Sequence, residues 1–375
     1  GHPDRQRPGH DDGTGHDDGT GNYPGTGNYP GSGDDVGPVT PGSVQSIFRA
    51  APHSAALFLV RCPMLLVHVT GQDQAPWATA FAETLAPYPV VQHGDGHDPA
   101  EVDYIFAWKP GPDAFEGLGN LKAVLSMGAG VDALMQHPRL PAAPVVRFVA
   151  DDLSQRMSDY VVAHVTMHQR LFTSFRSAQR AHRWDQIKPP LAREVTVGIM
   201  GMGELGQRAA EALAPLGFDL RGWSRSRKAI AGVTSFSGAA EFDAFLSGTD
   251  ILVNLLPLTA DTAGILNRTT FGKLRRGVLP GGPVVINAAR GKHQREADLV
   301  DALRDGTLGA ASLDVFETEP LPADSPLWDI ENCYITPHIS AVSDLSSCVG
   351  YFARIIEAHQ AGGALPNVVD RARGY

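Results

Sequence analysis

Residues 197–217, VGIMGMGELGQRAAEALAPLG, decide the fold class of this chain. An apolar run leads into three glycines with the spacing GxGxxG, and the pattern of an amphipathic helix follows them. Gly201 permits a tight turn, Gly203 lets a ligand approach the backbone, and Gly206 lets the helix pack closely on the strand. Strand, turn and helix in this order predict a site for a dinucleotide pyrophosphate at the helix N-terminus, with an ordinary glycine-rich turn as the alternative.

Alternating strand and helix patterns extend from this motif toward both ends of the chain. Apolar strand-like runs recur at 64–70, 103–109, 121–127, 219–225, 250–256, 283–290, 311–316 and 333–339. Strands separated by helices form parallel sheets with helices on their faces. We predict an α/β fold with two doubly wound parallel-sheet domains, a flavodoxin-like substrate domain and a dinucleotide-binding Rossmann domain. A closing amphipathic helix is predicted by the helical spacing of Val349, Phe352 and Ile356.

The first part of the chain has a different composition. Residues 9–32 are four hexads in tandem, GHDDGT, GHDDGT, GNYPGT and GNYPGS, which contain too few apolar side chains to form a core. We therefore predict a disordered low-complexity leader over 1–62, in which His10 and His16 belong to a solvated tail rather than to a metal site. Much of this leader is expected to lie outside the working protein. No metal site is predicted elsewhere.

The remaining domain boundaries are predicted from the two alternating regions. Residues 63–160 together with 341–375 form the predicted substrate and catalytic domain, and residues 161–340 form the predicted dinucleotide-binding domain. The stretch from Leu153 to about Trp184 contains no proline or glycine, so we predict one helix linking the two domains.

Composition and charge exclude several classes of protein. The net charge of −10 over 375 residues argues against nucleic acid as the main partner. Three cysteines without CxxC spacing exclude a disulfide framework and a thiolate zinc site, and they favour a reducing, cytoplasmic location. No apolar run reaches the roughly 18 residues of a membrane span, so no membrane partner is expected.

The end of the strand after the glycine motif indicates the cofactor. An NAD-binding unit places a carboxylate there, about 20 residues past the motif, for the ribose 2′-hydroxyl. Here the strand runs into 223–228, WSRSRK, and Asp219 lies too early to serve. A 2′-phosphate carries about two negative charges and is bound bidentately by guanidinium groups. The segment favours NADPH, with weaker use of NADH; a solvated basic loop is the alternative.

Three polar side chains follow predicted strands in the second region. They are Arg290 in INAARG, Glu319 in DVFETEP and His338 in TPHIS. Arginine stays charged and can hold a carboxylate and polarise a carbonyl, histidine can deliver a proton, and glutamate can favour and orient an imidazolium. Each residue alone is more often a cap or a surface pair. Together, after a dinucleotide motif, they favour reduction of a keto acid.

The ordered motifs GMGELG, LLPLTADT, INAARG, SLDVFETEPLP, SPLW and ITPHIS resemble those of the D-isomer-specific 2-hydroxyacid dehydrogenases. SMGAGVD, GWSRSRK and NVVDRARGY are similar to one branch, the glyoxylate/hydroxypyruvate reductase A type. The resemblance covers about residues 64–375 and does not include the leader.

The resemblance implies roles for individual residues. Arg290, Glu319 and His338 become the catalytic residues. The implied substrate contacts are Trp108, Met127, Gly128, Ala129, Gly130 and Arg290, although Trp108 can equally be a core residue at a strand end. The predicted cofactor contacts are Gly201, Gly203, Glu204, Leu205, Gly206, Ser224, Arg225, Ser226, Arg227, Leu256, Pro257, Thr262, Ala288, Arg290, Asp314 and His338.

The expected activity is the reduction of small 2-keto acids by NADPH, glyoxylate to glycolate and hydroxypyruvate to D-glycerate, in a homodimer formed through the helix after Leu153. Two alternatives remain open on the sequence alone. One is a reductase of larger 2-keto acids such as phenylpyruvate. The other is a non-catalytic, dinucleotide-sensing protein like the C-terminal-binding-protein corepressors, which resemble the same family.

Overall fold

The computed structural model describes residues 63–375. The predicted leader, with His10 and His16, therefore lies outside the described residues. The strands of a first sheet are β1 (Met64–Val69), β2 (Val90–Gln92), β3 (Val102–Trp108), β4 (Ala123–Ser126) and β5 (Val145–Arg147). The strands of a second sheet are β6 (Thr196–Met200), β7 (Asp219–Ser224), β8 (Val233–Ser237), β9 (Ile251–Asn254), β10 (Val284–Asn287), β11 (Ala310–Leu313) and β12 (Cys333–Ile335).

Helices connect the strands of both sheets. They are α1 (Ala75–Leu85), α2 (Asp132–Met135), α3 (Asp151–Gln169), α4 (Phe172–Arg180), α5 (Glu204–Leu213), α6 (Phe242–Leu246), α7 (Arg268–Gly272), α8 (Glu296–Arg304) and α9 (Leu345–Gln360). Short 3-10 turns add single turns at Pro99–Glu101, Ala192–Glu194, Ala214–Leu216, Ala239–Glu241, Gly291–His293 and Pro326–Asp329.

Both sheets are parallel throughout, and each reverses its winding direction at one strand. The first sheet has the order β2-β1-β3-β4-β5, and the second has the order β12-β11-β10-β9-β6-β7-β8. The direction reverses at β1, which pairs with β2 and β3, and at β6, which pairs with β7 and β9. Ligands of open α/β sheets bind beyond the carboxyl ends of the strands at such points. The predicted fold class is confirmed.

The inner strands β1 and β9 are buried along their whole length because both faces of each sheet are covered. In β1, Leu65 and Val67 face a core shared with α1 and α9, whereas Leu66 faces the opposite core. The predicted closing helix is α9, and its Phe352 is fully buried in the first of these cores. Residues 341–375 thus return to pack on the first sheet.

The prediction of one helix from Leu153 to about Trp184 is wrong. Helix α3 ends at Gln169 and α4 begins at Phe172, because Leu171 adopts a left-handed backbone conformation with φ of 61°. That conformation costs about 1–2 kcal/mol in a non-glycine residue. The Leu171 side chain is buried in a core of the second sheet, and such burial contributes about 1.5–3 kcal/mol. Burial therefore outweighs the local preference of the backbone.

Within residues 63–375, no helix is both long and apolar enough to cross a membrane. In the same part of the chain, no group of three or more His, Cys, Asp or Glu side chains is arranged to hold a metal ion.

Candidate active site

The glycine motif forms the turn between β6 and α5. Gly201 has a φ of 97°, and a Cβ there would lie 2.5 Å from the Leu255 carbonyl oxygen. A Cβ at Gly206 would lie 2.0 Å from the Gly201 carbonyl oxygen, so the helix packs directly on the strand end. At Gly203 a Cβ would meet no heavy atom within 4 Å. Two glycines are thus required by close packing, and the middle one faces open space.

The start of α5 fits a bound pyrophosphate. The first hydrogen bond of the helix runs from the Gln207 amide to the Gly203 carbonyl oxygen at 2.9 Å. The amides of Glu204, Leu205 and Gly206 come earlier and have no partner within the helix. Together with the positive end of the helix dipole, they form an anion site over the open face of Gly203. The residues present therefore fit the cofactor that the motif predicts.

The basic segment follows β7, which ends at Ser224. The Ser224 hydroxyl donates to the Ser226 carbonyl oxygen at 2.7 Å and fixes the turn. Arg227 pairs with Glu241 and donates to the Ser235 carbonyl oxygen. Arg225 is exposed at the strand end. Of the two arginines, Arg225 is the one available for a phosphate.

The other predicted cofactor contacts lie beyond β9, β10 and β11. The Thr262 hydroxyl donates to the Pro257 carbonyl oxygen at 2.8 Å, which closes the loop that begins at Leu256. The Ala288 amide donates to the Asn254 carbonyl oxygen at 3.4 Å, so β9 and β10 remain paired up to the site.

A buried polar network below the site was not predicted from the sequence. The Asn254 amide group donates to the Asn287 side-chain oxygen at 2.9 Å, and Asn287 in turn donates to the Arg290 carbonyl oxygen at 3.1 Å. His293 joins the network, and burial lowers its pKa to about 4, so its ring is neutral at neutral pH. The network fixes the backbone that presents Arg290.

Arg290 is held between the two sheets. Its Nε donates to Asp132 Oδ1 at 2.8 Å, and its Nη1 donates to the Ala289 carbonyl oxygen at 2.7 Å. A Cβ at Gly130 would lie 1.6 Å from Nη2, so the guanidinium lies directly against the glycine turn. Asp132 is the first residue of α2, in the quoted motif SMGAGVD, yet only the structure shows that it orients Arg290.

Trp108 closes the other side of that turn. A Cβ at Gly128 would lie 2.6 Å from the indole ring of Trp108, so the ring packs directly on this glycine. The Ser343 hydroxyl donates to the Met127 carbonyl oxygen at 3.0 Å and ties the turn to the segment after β12. The predicted substrate residues 127–130 therefore lie between Trp108 and Arg290.

His338 and Glu319 form a hydrogen-bonded pair. His338 Nδ1 lies 2.7 Å from Glu319 Oε2, and Glu319 Oε1 accepts from the Phe316 amide at 3.1 Å. Burial raises the pKa of the Glu319 carboxyl, but the hydrogen bond and charge of His338, with a smaller contribution from Lys109, outweigh it and hold that pKa below its usual value. Glu319 is thus a carboxylate at neutral pH, and Nε2 is the ring nitrogen left for a substrate.

Asp314 holds the turn that carries His338. This fully buried carboxylate accepts from the Thr336 hydroxyl at 2.6 Å and from the amides of Ile339 and Ser340 at 2.9 Å. The His338 amide donates to the Asp314 carbonyl oxygen at 2.8 Å, and His338 has a φ of 55°. The sequence predicted a cofactor contact for Asp314, and the structure adds a positioning role for the histidine.

Comparisons with known proteins agree with this geometry. Residues 162–340 match the family model of the D-isomer specific 2-hydroxyacid dehydrogenase NAD binding domain. A glyoxylate/hydroxypyruvate reductase A from Enterobacter sp. (strain 638) is 40% identical over 309 residues, which cover 81% of this chain and 97% of that relative.

Two solved structures are also similar. One is an NADPH-dependent glyoxylate/hydroxypyruvate reductase from Sinorhizobium meliloti in complex with NADP and sulfate, at 42% identity and a TM-score of 0.78, covering 84% of this chain and 100% of that one. The other is a probable 2-hydroxyacid dehydrogenase from Rhizobium etli CFN 42 in complex with NADP, HEPES and L(+)-tartaric acid, at 45% identity and a TM-score of 0.77, covering 84% and 99%. The chain belongs to the D-isomer specific 2-hydroxyacid dehydrogenase family.

Proposed function

We propose that this chain is an NADPH-dependent reductase of small 2-keto acids that converts glyoxylate to glycolate and hydroxypyruvate to D-glycerate. The Enterobacter relative and the Sinorhizobium meliloti structure are both named glyoxylate/hydroxypyruvate reductases, and the latter is described as NADPH-dependent. The observation that carries the proposal is the pairing of His338 with Glu319 beyond the carboxyl ends of the same sheet that presents Arg290 and the glycine motif.

The substrate carboxylate docks against the 127–130 turn. The backbone amides of Gly128 and Gly130 and the guanidinium of Arg290 supply donors that match a carboxylate. Trp108 limits the space on the other side of the turn, which favours a small acid over a bulky one. Arg290 also polarises the keto oxygen. Its guanidinium is held in place by the ion pair with Asp132, so its positive charge stays directed at the substrate.

The reduced nicotinamide, when bound, supplies a hydride to the keto carbon. His338 Nε2 donates a proton to the keto oxygen as that oxygen gains negative charge. Glu319 stabilises the imidazolium before the transfer and keeps Nδ1 as the nitrogen that faces the carboxylate. Asp314 holds the His338 turn in place, so the proton donor needs little reorganisation.

Arg225 carries the proposed preference for NADPH. Its exposed guanidinium lies at the end of β7, where a carboxylate would select the ribose hydroxyl of NAD. Ser224 and Ser226 shape the turn that presents it, and Arg227 lends positive charge while bonded to Glu241. NADH remains a weaker second cofactor, because the pyrophosphate site does not distinguish the two.

Assembly, domains and location are also proposed. We place the substrate domain at 63–160 and 341–375 and the dinucleotide domain at 161–340.

A homodimer would cover the segment after α3, where Trp184 is 90% exposed and Phe172 and Leu191 are also exposed. A cytoplasmic location fits an enzyme that consumes NADPH. Light scattering should show a dimer that Trp184→Ser weakens and that Trp328→Ser, a change at another exposed tryptophan, leaves intact.

The test of the activity is the loss of absorbance of the reduced nicotinamide. The full chain, residues 1–375, is mixed with NADPH or NADH and, in parallel reactions, with glyoxylate, hydroxypyruvate or phenylpyruvate. Rapid oxidation of NADPH with the two small acids, and slower oxidation of NADH, is the expected result. Turnover with phenylpyruvate alone would contradict the substrate assignment. Tight dinucleotide binding without turnover of any acid would contradict the enzyme assignment and favour a sensor.

A further inference from the structure

An aromatic side chain from the end of the sequence lies on the arginine proposed to bind the 2′-phosphate. The Cζ atom of Arg225 lies 5.5 Å from the centroid of the Tyr375 ring. Tyr375 is half-buried, and Arg225 is exposed at the end of β7. The two residues come from opposite parts of the structure, since Arg225 follows a strand of the second sheet and Tyr375 belongs to a segment fixed to the first.

The segment that carries Tyr375 is anchored to the first sheet. Val368 forms an antiparallel bridge with Val146 of β5, and the Val369 amide donates to the Val145 carbonyl oxygen at 2.8 Å. Val369 itself is buried in the core of that sheet. The position of the segment is therefore fixed by hydrogen bonds and burial before it reaches Arg225.

The last residues form a compact turn that directs the ring. The Gly374 amide donates to the Asp370 carbonyl oxygen at 2.8 Å, and the Asp370 amide donates to the Tyr375 carbonyl oxygen at 3.2 Å. Arg373 pairs with the Asp370 carboxylate at 2.8 Å. These contacts hold the Tyr375 backbone, so its ring is presented to Arg225 from a fixed point.

Arg225 is otherwise free to meet a phosphate. Within residues 63–375, no carboxylate lies within ion-pair distance of it, whereas the neighbouring Arg227 is bonded to Glu241. A guanidinium over an aromatic ring is attracted by the ring and keeps the N–H groups directed away from the ring unoccupied. Those N–H groups are the ones that bind phosphate oxygens bidentately.

We propose that Tyr375 is a positioning residue that sets the preference for NADPH over NADH, by holding the guanidinium of Arg225 with its edge toward the 2′-phosphate. The inference rests on the proposed function, because it needs a cofactor with that phosphate. NADH has a hydroxyl in the same place and gains nothing from the oriented guanidinium. The contribution of Tyr375 should therefore act on NADPH and on other 2′-phosphorylated adenosines alone.

The experiment measures binding without turnover. Dissociation constants for NADPH and NADH are measured by nucleotide fluorescence, and those for 2′,5′-ADP and 5′-ADP by competition. The proteins are wild type, Tyr375→Ala, Tyr375→Phe, Arg225→Gln and the double variant Tyr375→Ala/Arg225→Gln. Tyr375→Phe keeps the ring and is the matched control, and thermal unfolding checks that each variant is folded.

Tyr375→Ala should weaken NADPH and 2′,5′-ADP by about two- to fivefold, the range for an exposed cation–π contact, and leave NADH and 5′-ADP unchanged. Tyr375→Phe should bind all four like wild type. In the Arg225→Gln background, Tyr375→Ala should have no further effect, because the two residues act through one contact.

Two results separate this inference from the proposed function. A wild-type preference for 2′-phosphorylated nucleotides that survives Tyr375→Ala, or an equal loss of NADPH and NADH in that variant, would overturn the inference alone. Wild-type protein that binds 2′,5′-ADP no more tightly than 5′-ADP would overturn the proposed cofactor itself.

Discussion

The substitution Glu319→Gln removes the carboxylate that faces His338 while keeping the size of the side chain. A hydrogen bond to a charged partner contributes about 1.5–3 kcal/mol. The two side chains are 36% and 27% exposed, so solvent screening places the contribution near the lower end, at about 1.5–2 kcal/mol. Expressed as a rate, this is about a 10- to 30-fold loss of kcat/KM for glyoxylate.

The protonation state of Glu319 determines how the reduction rate should change with pH. The pKa of Glu319 is held below its usual value, so the carboxylate persists as the pH falls from 7 to about 5, and the reduction rate should not drop in that interval. Only below the ordinary range of glutamate, about 4.3, should protonation of Glu319 weaken the pair. In Glu319→Gln the histidine lacks its charged partner at every pH, so the loss of rate should be present throughout this interval.

The assay is the steady-state oxidation of NADPH across this pH range, with NADPH binding measured in parallel. Glu317→Gln is the matched control, because Glu317 accepts a hydrogen bond from the Glu296 amide and makes no contact with the histidine. Glu317→Gln should retain wild-type rates and pH profile. Wild-type kcat/KM in Glu319→Gln across this pH range would refute the role of the pair.

Two further changes test the substrate and cofactor sides. Asp132→Ala should release the Arg290 guanidinium and raise KM for glyoxylate about tenfold with unchanged NADPH binding, and Asp132→Asn should lose less because it keeps an acceptor oxygen; a rise in the NADPH dissociation constant instead would contradict this role. Gly206→Ala should destabilise the fold by about 1–3 kcal/mol, since the new methyl meets the Gly201 carbonyl. Gly203→Ala should be as stable as wild type in thermal unfolding yet bind NADPH poorly. Equal stability of Gly206→Ala and Gly203→Ala would contradict the packing argument.

The sequence predicts the long, buried strands well, but it misses β2, β5 and β8. β1 and β3 are mostly apolar, with only His68 and Asp103 as exceptions, so their position and type follow from composition. β2 and β5 have three residues each, and every residue of β2 is only partly buried, so neither carries a periodic signal. They become strands because β1 and β4 offer them backbone partners, which is a property of the folded sheet.

The same distinction applies to the site. The glycine motif and the three polar residues after the strands are local features with fixed spacing, and they could be identified by position alone. Asp132 contacts Arg290 across 158 residues of sequence, and Tyr375 reaches Arg225 from the far end of the chain. No spacing rule joins such residues, because the contact exists only after two sheets have folded. The break at Leu171 has the same origin, since tertiary burial decides it.

The most direct test of the central claim is the single-turnover rate of NADPH oxidation by glyoxylate in wild type and His338→Ala, with enzyme in excess over NADPH. Loss of the proton donor should slow this rate by at least about 100-fold, since general acid catalysis contributes about 10²–10⁴-fold, while the NADPH dissociation constant remains within about twofold of wild type. A single-turnover rate in His338→Ala comparable to that of wild type would contradict the assignment of His338 as the proton donor and, with it, the proposed mechanism.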